Sequence, residues 1–359
     1  MIASWSHETL RRRVKLAMLH VAKALGLFAV MRRATAGYVR ILCYHGIWLG
    51  SDDYPGDMMF MHPKTFARRL DLIQRLGYPV VPLSAAVEAL QGRGELPAAA
   101  VVITIDDGWY GTYSEMLPAL RQRDMPATLY CDSAHLMSGQ PIAHVMATYV
   151  RMLAGHTERW PDVEFDYAIA TDRHQPIATR LAAVEKVAHV LGVDLEPFRG
   201  ARAFDYMSPA ELAESASSGL DVQLHTHNHT MHDLSRQQVA REIAANRDAL
   251  GRVLGRDGAS FRHFCYPSGV TSRQTAGLLD DLGMTSSTTL AKGLARPGTN
   301  LQLLPRLLDG EQVTDIEFEA RLSGLSELRN ALFGRDDWSV AQRAGGPDSP
   351  MLYAHLPPD

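Results

Sequence analysis

Short apolar runs recur along this chain, separated by stretches of helical period. RILCY (40–44), VVITI (101–105), ATLYC (127–131), DVQL (221–224), HFCY (263–266), TSSTT (285–289) and LQLLP (301–305) each read as a strand. Runs that stay apolar, rather than alternating, mark strands covered on both faces. Pro79–Pro82 reads as one more short strand. Helical periodicity predicts helices over 64–76, from an N-cap at Ser84, and over 113–123, 237–254 and 273–282. Two others are announced by their starts. Ser208-Pro209-Ala210-Glu211 combines an N-cap, an N1 proline and an N3 glutamate, and Thr314 stands three residues before Glu317. Strands alternating with helices predict βαβ units, hence an α/β fold with a parallel sheet or barrel.

Between about 133 and 206 the rhythm lapses. Helical pieces near 143–154 and 176–191 flank a loop rich in Asp, His and Pro, and the segment reads as an insertion over one face. The expected division is an N-terminal amphipathic helix over 1–37, one α/β domain over 38–334 and a Gly/Pro-rich tail over 335–359. In the N-terminal helix, Leu10, Val14, Met18, Val21, Leu25 and Phe28 form an apolar stripe bordered by Arg11, Arg12, Arg13, Lys15, Lys23, Arg32 and Arg33. Such a helix either docks on the domain or lies on an anionic membrane surface.

Composition mainly excludes classes. With 359 residues and a net charge of −4, the chain is that of a globular protein without the basic excess of a nucleic-acid binder. Cys43, Cys131 and Cys265 fall inside apolar runs without paired spacing, which points to buried thiols in a reducing compartment. The stretch from Val14 to Met31 is broken by Lys15, His20 and Lys23, so it is a poor transmembrane span and a poor leader. The expected location is cytoplasmic, peripheral at the inner membrane where the basic helix meets lipid.

Candidate chemistry lies in two places. Asp106 and Asp107 end the run VVITI, with Gly108 letting the chain turn away. Two adjacent carboxylates repel, and a cation or a shared proton relieves that cost. Far downstream, LHTHNHTMH holds His225, His227, His229 and His232 after another strand. His225 and His229 can converge there on one point, and imidazole is the commonest side-chain ligand of zinc-like ions. Two imidazoles and one carboxylate make a site with positions left open for water and substrate. Strand ends on one face of an α/β fold gather active-site groups.

The order TIDDG, then HTHNH in the form His-Thr-x-x-His, then FCYPSG resembles the polysaccharide deacetylases of carbohydrate esterase family 4, the NodB-homology domain. ILCYH, PATLY and LLPR look like the branch acting on N-acetylated exopolysaccharides. The resemblance covers roughly 39–309, with the insertion unmatched. It implies a distorted (β/α) barrel that hydrolyses an N-acyl group from an amino sugar of a polymer or glycolipid, using one divalent ion, zinc above all. By resemblance, Asp106 is the base that activates water, and Asp107, His225 and His229 are metal ligands. Thr226 steadies the histidine turn, the backbone N–H of Ser268 helps hold the oxyanion, and Tyr266, Pro267 and His45 contact substrate.

Two departures stand out. The family's third motif carries an arginine, partner of the base, where this chain has Cys265. Arg306 of LLPR, following an apolar strand, is expected to replace it. The late Leu-x-x-His that supplies the family's catalytic acid has no clear match, which leaves His45, His232 and His355 as candidates. A carbohydrate-binding pseudoenzyme of the same fold and a deformylase of a lipid-linked amino sugar therefore stay open.

Overall fold

The apolar runs become the staves of a closed barrel. The computed structural model describes residues 2–327 apart from 55, 57, 232 and 233. Its strands are β1 (Arg40–Tyr44), β2 (Gly46–Ile47), β3 (Phe60–Met61), β4 (Val101–Asp107), β5 (Ala127–Cys131), β6 (Asp221–Leu224), β7 (His263–Cys265), β8 (Ser286–Lys292) and β9 (Leu304–Leu308). β1, β4, β5, β6, β7, β8 and β9 lie side by side in that order, all parallel, and β9 closes back on β1. This is the distorted (β/α) barrel expected from the sequence. β2 and β3 form a separate two-stranded pair beside it.

β4 shows why the run is continuous. All seven of its residues are buried, because one face lines the barrel and the other meets helices. Each large apolar side chain so covered, such as Ile103 or Ile105, contributes roughly 1.5–3 kcal/mol.

The helices are α1 (Ile2–Ala24), α2 (Leu27–Ala34), α3 (Pro63–Arg75), α4 (Leu83–Leu90), α5 (Leu117–Arg121), α6 (Ser133–Ser138), α7 (Ala143–Ala154), α8 (Glu164–Thr171), α9 (Ile177–Leu191), α10 (Glu196–Gly200), α11 (Pro209–Ser217), α12 (Arg236–Leu254), α13 (Arg273–Asp281) and α14 (Asp315–Ser323). Capping boxes at Ser208 and Thr314 start α11 and α14 as their sequences predict. Ser84 does not cap α4. That helix begins two residues earlier, at Leu83 after Pro82, without a side-chain cap. Pro79–Pro82 contributes only a single bridge, Val80 to Val101, since proline at both ends withholds ladder donors. The segment near 113 opens as a π-turn over Thr112–Met116 before becoming α5. Between β5 and β6, helices α6 to α10 make up the insertion.

The N-terminal segment is two helices, not one. Gly26, with φ of 75°, takes the left-handed conformation that ends α1, and α1 and α2 meet at a 75° bend. Leu16, Leu19 and Ala22 join Phe28 against Ile316 and Ala320 of α14. Lys15 and Lys23 pair with Glu317 (2.7 Å) and Glu319 (2.5 Å). The helix is thus docked, but by a face other than the stripe read from periodicity. Of that stripe Phe28 is buried, while Leu10, Val14, Met18, Val21 and Leu25 remain exposed, Leu25 at 80%. No single helix among the described residues is long and apolar enough to cross a membrane. The tail over 335–359 lies outside the described residues.

Candidate metal centre

Strand register brings the two carboxylates to the mouth. Asp106 pairs with Tyr130 and Asp107 with Cys131 at the end of β5, while His225 follows directly on β6. Asp107 has φ of 80° and Gly108 of 121°, so the chain turns sharply out of the barrel. A Cβ on Gly108 would lie 3.0 Å from Cys131 Sγ, which is why glycine follows the pair. Trp109 Nε1 donates to Asp107 Oδ2 at 2.8 Å, leaving Oδ1 turned to the histidines.

Three donor atoms face one another there. His225 Nε2 and His229 Nε2 lie 3.4 and 3.2 Å from Asp107 Oδ1. His225 Nδ1 is 2.8 Å from the Cys265 carbonyl, which accepts its proton, fixes the tautomer and leaves Nε2 as a lone-pair donor. The loop carrying them is braced from α12. Asn246 Oδ1 accepts from the His225 backbone N–H at 3.0 Å, and Glu242 accepts from the N–H groups of His227 and Asn228. Thr226 Oγ1 accepts from the Thr230 N–H at 3.2 Å. Among the described residues seven non-glycine positions have positive φ, and Asp107, Thr226, His229 and Ser268 are four of them. Backbone strain is concentrated where the donors must converge.

This set fits a divalent ion. Its ligand atoms all lie within 4.8 Å of one another, and two imidazoles with one carboxylate suit zinc-like cations. Two other triads, Cys43–His45–Asp106 and Asp106–His225–Cys265, are equally close, but both need Asp106, whose oxygens are already engaged. The cluster also seeks positive charge. Burial raises Asp107, yet hydrogen bonds from His225 and His229 hold it well below the usual carboxylate range. Burial lowers His225, yet Cys265 and Asp107 raise it well above the usual imidazole range. His227 faces away, its Nδ1 2.8 Å from Ser133 Oγ. His232 and His355 lie outside the described residues.

Arg306, from β9, reaches Asp106. Its Nη1 and Nη2 donate to Oδ1 and Oδ2, each at 2.7 Å, in a bidentate fork. Nε donates to the Thr289 carbonyl at 2.9 Å and Nη1 also to Thr104 Oγ1 at 3.2 Å. Both partners are buried, Asp106 at 2% exposure and Arg306 at 1%. Burial raises Asp106, but the charge and hydrogen bonds of Arg306 outweigh it and hold the carboxyl below its usual range. Cys265 Sγ lies 3.1 Å from Arg306 Nη2 and 3.5 Å from Asp106 Oδ2, so the small thiol sits at the corner of the pair.

The donors open on a cavity of about 430 Å3, part of it open to solvent. His45, Met58, Met59, Tyr266, Ser268 and Leu290 complete its wall. His45 Nε2 is 3.7 Å from Asp106 Oδ2. The Tyr266 ring lines the cavity, but its hydroxyl is committed to the Gln302 carbonyl at 3.0 Å. Pro267 is buried in the turn between Tyr266 and Ser268, both of which line the cavity.

Comparison with known proteins follows the same lines. A family model described as polysaccharide deacetylase matches residues 93–287, more than half the chain. A poly-beta-1,6-N-acetyl-D-glucosamine N-deacetylase of Escherichia coli K12 is 34% identical over 82 residues, 22% of this chain; the match spans only 12% of that enzyme's length. Among solved structures, the Streptococcus pyogenes deacetylase PplD in complex with acetate aligns with a TM-score of 0.54 at 18% identity, over 79% of this chain and 98% of that one. IcaB from Ammonifex degensii aligns with a TM-score of 0.54 at 21% identity, over 80% and 97%. At these identities the likeness establishes the barrel fold.

Proposed function

Because the chain belongs to the polysaccharide deacetylase family, we propose that it removes the N-acetyl group from an amino sugar of a polysaccharide, with one divalent ion, zinc, held by Asp107, His225 and His229. A single observation carries this reading. One barrel mouth holds a cation-seeking triad and, beside it, a separate carboxylate kept ionised by a buried arginine. When bound, the ion supplies Lewis acidity, lowering the pKa of water from ~15.7 towards ~7 and polarising the amide carbonyl.

The chain's own groups do the rest. Asp106 is free of the triad and takes the proton of the attacking water. Arg306 keeps it anionic and fixes the direction of its lone pairs. His45, which lines the cavity with Nε2 3.7 Å from Asp106 Oδ2, is the candidate to deliver a proton to the departing amine. Ser268, which lines the cavity in a turn with φ of 53°, is the candidate to offer its backbone N–H as an oxyanion donor. Purified protein is expected to hold a divalent ion and to release acetate from an N-acetylglucosamine oligomer. The His225→Ala/His229→Ala variant should lose both. Full metal occupancy in that variant would overturn the ligand assignment. Oligomer binding by the metal-loaded chain without acetate release would make it a carbohydrate-binding protein, and formate release from an N-formyl sugar would make it a deformylase.

A membrane-borne glycolipid is a second reading of the substrate, favoured by the outward face of the N-terminal helices. Leu10, Val14, Met18, Val21, Leu25 and Val30 are exposed together. No Asp or Glu occurs between Thr9 and Ser51, whereas Arg11, Arg13 and Arg33 flank the stripe in the open. Apolar area bordered by cations matches an anionic lipid surface. The full chain is expected to bind phosphatidylserine vesicles with an affinity that falls as salt rises. Met18→Asp/Leu25→Asp, at exposed positions outside the packed cluster of these helices, should abolish binding and leave the fold intact. Equal binding by the variant would remove the membrane from the reading.

A further inference from the structure

On the insertion, three basic side chains meet, and among the described residues no carboxylate stands at ion-pair distance from the two arginines of the group. His144 lies in the first turn of α7, Arg180 near the start of α9, and Arg173 in the loop between α8 and α9. Arg173 Nη2 lies 3.1 Å from His144 Nε2, and Arg180 Nη2 lies 3.3 Å from His144 Nδ1. Guanidinium nitrogens only donate, and a neutral imidazole offers one acceptor nitrogen and one N–H. Burial and the two guanidiniums hold His144 well below its usual range, so the ring is neutral. In either tautomer one of the two contacts then sets a donor against a donor. The cluster is short of an acceptor.

The neighbouring acids do not supply it. Asp172 accepts from the His174 N–H at 2.9 Å and from Gln175 Nε2 at 3.3 Å and reaches Arg180 only through its charge, while Asp132 turns Oδ1 to His135 Nδ1 at 2.8 Å. Arg180 spends its Nε on the Ala170 carbonyl near the end of α8, which leaves its outer nitrogens to the cluster. Neither α7 nor α9 has a side-chain cap or an acidic residue in its first turn, so both helix starts add positive potential where the arginines stand. The insertion that carries the cluster leaves the barrel at the end of β5 and returns at β6, beside the strand ends that carry Asp107 and His225.

We propose that Arg173, Arg180 and the start of α7 form a binding site for a phosphate-class oxyanion carried by the substrate glycan. Two planar forks that share a single imidazole acceptor match the tetrahedral oxygens of phosphate, and the helix starts add positive potential. The oxyanion supplies the missing acceptor and separates the crowded donors. The anion site stands on its own geometry; only its assignment to the substrate rests on the deacetylase reading.

The test separates the two. Inorganic phosphate and pyrophosphate are titrated calorimetrically into the full chain after chelator has stripped divalent ions, so that the metal centre cannot bind the probe. Saturable binding is expected, weakening with salt, and at least about tenfold weaker in Arg173→Gln/Arg180→Gln. Tighter binding of pyrophosphate would point to a diphosphate linkage, and comparable binding of phosphate to a phosphoester in the polymer. Arg173 is exposed, so the single variant Arg173→Gln reads the same loss without risk to the fold. Equal affinity of the parent and both variants would overturn the site. On substrate, the double variant should raise KM for a phosphorylated N-acetylglucosamine oligomer and leave its neutral counterpart and kcat unchanged. An equal rise on both would overturn the substrate assignment. Failure of the deacetylase reading shows instead as no acetate from either oligomer, with pyrophosphate binding intact.

Discussion

Asp106→Asn is expected to keep the divalent ion and lose turnover by about 10²–10⁴-fold, the contribution of a positioned general base. The amide preserves the shape of the side chain and one acceptor for Arg306, but it cannot take a proton from water. Neither oxygen of Asp106 belongs to the Asp107–His225–His229 triad, so metal content should not change. Asp107→Asn should do the opposite. Its Oδ1 faces both imidazoles while Oδ2 is held by Trp109, so removal of its charge weakens the ion itself. Metal analysis and acetate release on the two variants decide the matter, and reversed phenotypes would mean that the carboxylates have exchanged roles.

Much of this was readable in the chain because its signals are local. Continuous apolar runs gave the barrel strands, and capping boxes at Ser208 and Thr314 gave helix starts to the residue. Asp107, His225 and His229 could be grouped because each ends, or sits in the first turn after, a strand of one parallel barrel. What escaped depends on long-range packing. Asn246 and Glu242 brace the histidine loop from the middle of α12, and the only trace in sequence is polar character on an otherwise buried helix face. Met58 and Met59 reach the cavity through a loop with no periodicity. The N-terminal helix shows the limit of pattern alone. Its strongest apolar stripe is the one left outside, because Lys15 and Lys23 on the opposite side find Glu317 and Glu319 and turn Leu16, Leu19 and Ala22 inward. The Arg173–His144–Arg180 cluster joins His144 to residues 29 and 36 positions away in sequence and carries no motif.

Arg306 is where loss of one side chain should cost most. Arg306→Lys keeps a charge, but a single ammonium cannot hold both oxygens of Asp106 together with the Thr289 carbonyl and Thr104 Oγ1. Its expected phenotype is retained metal with much of the turnover lost, because the base is no longer aimed. Arg306→Met goes further and leaves a buried carboxylate without a partner, a change that typically costs about 3–5 kcal/mol. Burial is then opposed only by the smaller effects of His45 and His225 and drives Asp106 towards the protonated form, which cannot act as a base. The double variant Asp106→Asn/Arg306→Met removes the orphaned charge as well as the arginine. It should therefore be more stable than Arg306→Met alone, although it lacks one more native group, and thermal or urea unfolding of the four proteins measures the coupling. A double variant less stable than Arg306→Met by the full cost of Asp106→Asn would mean that the two residues do not act as a pair. Turnover separates this from a general loosening of the barrel, since both single variants should be nearly inactive and the double variant, though restored in stability, should be inactive too.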